Sequence, residues 1–163
     1  EMGPVPAPGW VAQPPEPSRG IYGMPMFVTV PTSDLDASVD FWTEALGFFT
    51  LFSIPGQLVH LRRWAFQDVL LVPTPQAPAP ADGPSVSVSF SCVLSQIDEI
   101  AEACERRRPG SVTGPRITPW NSREVEVITP EGVHVILTAA RPLDSNSAQA
   151  EGLRRIGIEA PEA

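Results

Sequence analysis

The chain has 163 residues, 42% of them hydrophobic and 18% charged, which is enough apolar material for one globular domain or for one domain built from two similar halves. Its formal net charge of -8 argues against nucleic acid as a partner, because phosphate demands Lys/Arg patches and the one dense basic run, Arg106-Arg107-Arg108, reads as cations at a helix C-terminus. No apolar run is long enough to span a bilayer and no basic start leads into an apolar leader, so a soluble, cytoplasmic protein without membrane partners is expected.

Residues 1–22 read as a Pro-rich extended arm. Six prolines precede Arg19, no helical or strand period is present, and Trp10 and Val11 are the candidate anchors. A first module follows over 23–73. It opens with a short strand at Met26-Phe27-Val28-Thr29-Val30 and continues into a helix with Ser33 as N-cap, Asp34 and Asp36 at the positive end, and Leu35, Val39, Trp42 and Leu46 as the apolar stripe. Gly47 ends that helix. FTLFSI, a Pro55-Gly56 turn, LVHLRRW and DVLLV then read as three antiparallel strands.

A Pro/Ala linker at 74–84 leads to a second module over 85–140. Its first strand, Ser85-Val86-Ser87-Val88-Ser89-Phe90-Ser91-Cys92, alternates hydroxyls with apolar side chains, so one face suits a core and the other carries a ladder of serines. SQIDEIAEACERRRPG predicts a helix capped by Ser95, with Ile97, Ile100, Ala101 and Cys104 inward and Gly110 at its end. Three more strands are expected near SVTGPRIT, REVEVIT and VHVILTA. Each half therefore has the order βαβββ. Cys92 and Cys104 read as reduced core residues, and the tail at 141–163 as polar with a short helix.

In this arrangement FVTVPTSDLDASVDFWTEALGF resembles the opening strand and helix of the vicinal oxygen chelate superfamily, the group of glyoxalase I, extradiol dioxygenases, fosfomycin-modifying enzymes and bleomycin-resistance proteins. TPWNSREVEVITPEGVHVIL is similar to its closing hairpin, with a Pro-Trp turn and a turn of the Asp-Pro-x-Gly type. The resemblance spans residues 24–140 and implies an α+β fold in which two βαβββ modules curl mixed sheets into a cup, in a protein that dimerises.

The same resemblance puts Phe27, Thr29 and Pro31 of the first strand in correspondence with Ser89, Ser91 and Val93 of the ladder, all lining the cup. Metal-dependent members carry His, Glu or Gln at up to four cup positions, which here hold Phe27, Leu70 or its neighbours, Ser89 and Ile136. None of these is a good ligand for a divalent ion, so no metal and no cofactor are expected. His60 is read as a partly exposed or hydrogen-bonded residue of a middle strand, and His134 as a cup residue standing alone.

The expected ligand-binding set is Phe27, Thr29, Trp64, Phe66, Asp68, Ser87, Ser89, Ser91, Trp120, His134 and Ile136, a lining of apolar surface, scattered hydroxyls and flat rings suited to a sizeable organic molecule. Trp42 belongs to the helix stripe and reads as core. The resemblance implies a homodimeric, metal-free protein that sequesters a natural-product antibiotic without catalytic residues. A metal-independent enzyme using Asp68 or His134 as general acid or base, and a biosynthetic carrier, are the other readings.

Overall fold

The computed structural model describes residues 6–19, 27–65, 67–75, 87–119 and 121–155. Phe66 and Trp120, most of the linker and the first two residues of the serine ladder lie outside the described residues.

The first module runs β1 (Phe27–Thr32), α1 (Leu35–Glu44), β2 (Phe49–Ile54), β3 (Leu58–Arg62) and β4 (Asp68–Pro73). The second repeats the order as β5 (Ser87–Ser91), a 3-10 turn at Leu94–Gln96, α2 (Ile97–Arg107), β6 (Val112–Ile117), β7 (Ser122–Ile128) and β8 (His134–Ala140), before α3 (Ala148–Arg155). Each module makes one four-stranded mixed sheet, ordered β1-β4-β3-β2 and β5-β8-β7-β6. In both, the first strand pairs parallel to the last, which the intervening helix makes possible by carrying the chain back across the sheet.

The helix starts differ from expectation. Asp34, rather than Ser33, caps α1: its Oδ1 accepts the Ala37 N–H at 3.0 Å, while Thr32 Oγ1 accepts the Asp34 N–H at 3.1 Å. Ser95 caps nothing, because it sits inside the 3-10 turn that precedes α2, and α2 begins without a side-chain cap. Gly47 closes α1 as expected, at φ 75°, a conformation that costs glycine little.

The two modules share one core. Trp42 and Phe48 of the first meet Phe90 of the second edge to face, with Phe48 centred 5.1 Å from both of the other rings. Ile97, Cys104, Val125, Val135 and Leu137 join Val30, Leu46, Leu61, Val69 and Leu71 in the same buried cluster. Polar clasps cross the same boundary. Trp42 Nε1 donates to Glu131 Oε2 at 3.3 Å, Arg107 of α2 pairs with Asp40 of α1, and the buried Arg63 donates to the Ser91 carbonyl and, at 2.9 Å, to Gln96 Oε1. Both cysteines are free and buried within this core.

Candidate functional site

Alternation along the strands assigns each sheet a core face and an open face. On β1 the residues Val30 and Thr32 are buried while Phe27, Thr29 and Pro31 are exposed. On β5 Phe90 is buried, Ser87 and Ser89 are exposed and Ser91 is half-buried. The ladder pairing then carries the open face across each sheet: Phe27 lies opposite Asp68 and Thr29 opposite Leu70, while Ser87 lies opposite His134, Ser89 opposite Ile136 and Ser91 opposite Thr138.

Counted back from the first residues of the two helices, Leu35 and Ile97, Phe27, Thr29 and Pro31 fall level with Ser89, Ser91 and Val93. Val93 is buried, yet it borders the cavity beside the second sheet.

The open face of the first module contains a buried charge cluster. Arg62 Nε donates to Asp68 Oδ1 at 2.6 Å and Arg62 Nη2 to Asp68 Oδ2 at 3.1 Å, a two-pronged pair with both side chains removed from water. His60 is not the partly exposed residue expected from its strand: it is 2% exposed, packed edge-on against Phe52, with Nε2 3.4 Å from Asp68 Oδ1 in a contact too poorly aligned to be a hydrogen bond. Asp68 is therefore an ion-pair partner rather than an open carboxylate. Trp64 also stands apart from the open face, because it is 4% exposed and its ring lies 4.7 Å from the Arg63 guanidinium.

The open face of the second module is a hydroxyl and carboxylate network. Glu124 on β7 is buried and its Oε1 accepts from Ser122 Oγ at 2.8 Å and from Thr138 Oγ1 at 3.0 Å, while Thr118 and Ser122 share a hydroxyl contact of 2.7 Å. His134 does not stand alone: its Nδ1 lies 3.1 Å from Glu126 Oε1, two positions along β7 from Glu124.

The N-terminal arm crosses toward both faces. The Ser18 carbonyl accepts from Arg62 Nη1 at 3.1 Å, and the Arg19 guanidinium sits 4.7 Å above the Phe49 ring. Trp10 and Val11 do not anchor by burial, being 63% and 84% exposed; Trp10 instead meets Arg141 at 5.7 Å, a cation–π contact worth about 0.5–1 kcal/mol at such an exposed site. Between the arm and the second sheet lies a cavity of ≈ 260 Å³ bounded by Pro6, Pro8 and Ala12 on one side and Ser91, Thr138 and Ala140 on the other.

Burial sets the chemistry of the groups at the module boundary. It pushes the Cys92 thiol up to about 12, opposed by the nearby Arg63 charge, and lowers Arg63 to about 10, so neither is poised to react near neutrality. Arg62, Glu124, Glu126 and Thr138 were absent from the residues expected from sequence. The signal was present, since Glu124 and Glu126 alternate with Val125 and Val127, as the serines alternate with Val88 and Phe90.

Residues 26–137 match the model of the Glyoxalase/Bleomycin resistance protein/Dioxygenase superfamily. The chain belongs to this superfamily. Among solved structures, this superfamily member is similar to an integron cassette protein from the mobile metagenome of the Halifax Harbour sewage outfall, at 26% identity over 73% of this chain and 99% of that one, with a TM-score of 0.54. It is also similar to a lactoylglutathione lyase from Agrobacterium tumefaciens (23% identity, 78% and 96% coverage, TM-score 0.53) and to a bleomycin-binding protein complexed with bleomycin (18%, 71% and 98%, TM-score 0.50). No protein of curated function matches the sequence.

Of the positions expected to match the ligands of metal-dependent members, Phe27, Ser89 and Ile136 carry no strong donor, and the carboxylate near Leu70 on β4, Asp68, is held by Arg62. Among the described residues, no three His, Cys, Asp or Glu side chains converge as a metal centre would require. That donor set does not fit a divalent ion.

Proposed function

We propose that this protein binds a natural-product antibiotic on its open faces and protects by sequestration, without a metal, a cofactor or bond chemistry. The observation that carries this reading is the run of exposed Ser87 and Ser89 and half-buried Ser91 beside His134, Ile136 and Thr138, a surface of hydroxyls and apolar groups on one sheet. The likeness to a structure of a bleomycin-binding protein holding bleomycin supports the choice of ligand class. A cytoplasmic homodimer, with the ligand seated where two copies meet, completes the proposal. The net charge of -8 would steer a cationic ligand toward the protein.

The test is a titration of the full chain, followed by tryptophan fluorescence in EDTA, against bleomycin and other DNA-damaging natural products, with mass spectrometry of the ligand recovered after denaturation. Saturable binding of intact ligand, abolished by Ser89→Trp, is expected. Multiple turnover in EDTA would overturn sequestration.

A second reading has one observation in its favour. The His134–Glu126 pair at 3.1 Å has the geometry of an imidazole oriented by a carboxylate, as a metal-independent general base requires. Asp68 has lost that role to Arg62. Turnover that His134→Gln abolishes would establish this enzyme in place of the binder.

A further inference from the structure

The cavity beside the second module has walls of two kinds. Its inner wall comes from the sheet, through Ser91, Thr138 and Ala140, and its outer wall from the arm, through Pro6, Pro8 and Ala12. On the inner wall Thr138 and Ser122 both turn their hydroxyl protons toward the buried Glu124 carboxylate, at 3.0 and 2.8 Å. What Thr138 leaves for the cavity is lone pairs. Prolines have no N–H, so Pro6 and Pro8 can present only carbonyl oxygens and apolar ring. Donors are present at the Ser91 hydroxyl and the Ala7 and Gly9 N–H groups, but Thr138, Ser122 and the two prolines offer acceptors alone, so acceptors outnumber donors along the two walls.

We propose that residues 6–12 and the open face of the second module form one binding site for a hydrogen-bond-donating aromatic group, such as a ring bearing amines, with the arm as its removable outer wall. This rests on the ligand-binding reading above and narrows it. A volume of ≈ 260 Å³ falls just under the roughly 300–1,000 Å³ of sites that enclose a whole drug-sized molecule, so the cavity takes one ring system or one end of a larger ligand. The arm can part from the sheet cheaply. Among the described residues its polar and ring contacts are gathered at Trp10, Ser18 and Arg19, with Trp10 and Val11 largely in water. A proline-rich segment also loses little chain entropy when it closes again, which favours a slow release once the ligand is covered.

The test uses the full chain and proflavine, a flat cationic diamine, with 8-anilinonaphthalene-1-sulfonate as an anionic aromatic of similar size. Two substitutions fill the cavity from opposite walls, Ala12→Leu from the arm and Ala140→Leu from the exposed end of β8. Proflavine is expected to saturate one site and to bind at least tenfold more weakly to each variant, while the sulfonate does not saturate. Weakening by Ala140→Leu alone would remove the arm from the site, and no effect of either, or equal binding of the anion, would overturn the site itself. Those failures leave sequestration standing, because that reading is judged on natural products recovered intact.

Discussion

Arg62 and Asp68 face each other across β3 and β4 and are joined by two hydrogen bonds with no solvent contact at either side chain. Neither charge can be released to water without opening the sheet. Asp68→Ala is therefore expected to cost about 3–5 kcal/mol in urea unfolding, most of it the penalty of a stranded guanidinium. The double variant Arg62→Met/Asp68→Leu should recover most of that loss. Equal destabilisation by the single and the double change would show that shape, and not charge, governs this position.

The thiols predict a loss of stability in alkali. Cys92 and Cys104 are both pushed up to about 12 by burial, so between pH 9 and 12 the unfolded chain has released protons that the folded chain retains. Stability falls with pH wherever the folded state binds more protons, and each thiol should cost on the order of 1 kcal/mol by pH 10. Denaturation curves at pH 8 and pH 10 check the fall, and Cys104→Ala should reduce it. The same burial predicts negligible labelling by a thiol reagent at pH 8 until denaturant is added.

Phe90 is placed to transmit damage from one half to the other. Its ring meets Trp42 and Phe48 edge-on, so Phe90→Ala should cost about 3–5 kcal/mol while leaving a single unfolding transition. Separate melting of two halves would contradict a shared core.

Asp98 and Arg123 form a two-pronged pair at 2.9 and 2.7 Å on the surface, and the hydrogen bonds from Arg123 hold the Asp98 carboxyl below its usual range. The stabilisation is present above the carboxylate range and is lost as pH falls through it. Because the pair is largely solvated, Asp98→Asn should cost no more than about 0.2–1 kcal/mol at pH 7, and the difference from the parent chain should vanish in acid.

The repeat of βαβββ could be read from alternation and helical spacing because β1, β5, β8 and the helices α1 and α2 each have one wet and one dry face. The helix caps were harder. Ser33 and Asp34 are both good caps, and only the reach of Asp34 Oδ1 to the Ala37 N–H separates them. The faces of the open strands were legible too, but the fate of polar groups on those faces was not. Period 2 places His60 and Asp68 on the open side, yet nothing in the spacing shows that Arg62 and the arm remove them from water. The arm itself carries no period, so its position over two sheets depends on contacts with Arg62, Phe49 and Arg141 that are far away in sequence.

The division into a shared core and two open faces has an evolutionary consequence. β1, β5 and β8 devote alternate side chains to the common interior, so Thr29, Ser87 and Ser89 can be exchanged at a cost within about 0.5 kcal/mol, the range of ordinary surface changes. Such a scaffold can acquire a new ligand by a few substitutions in the ladder without first gaining stability to spend, and its recognition surface is free to diverge faster than its fold.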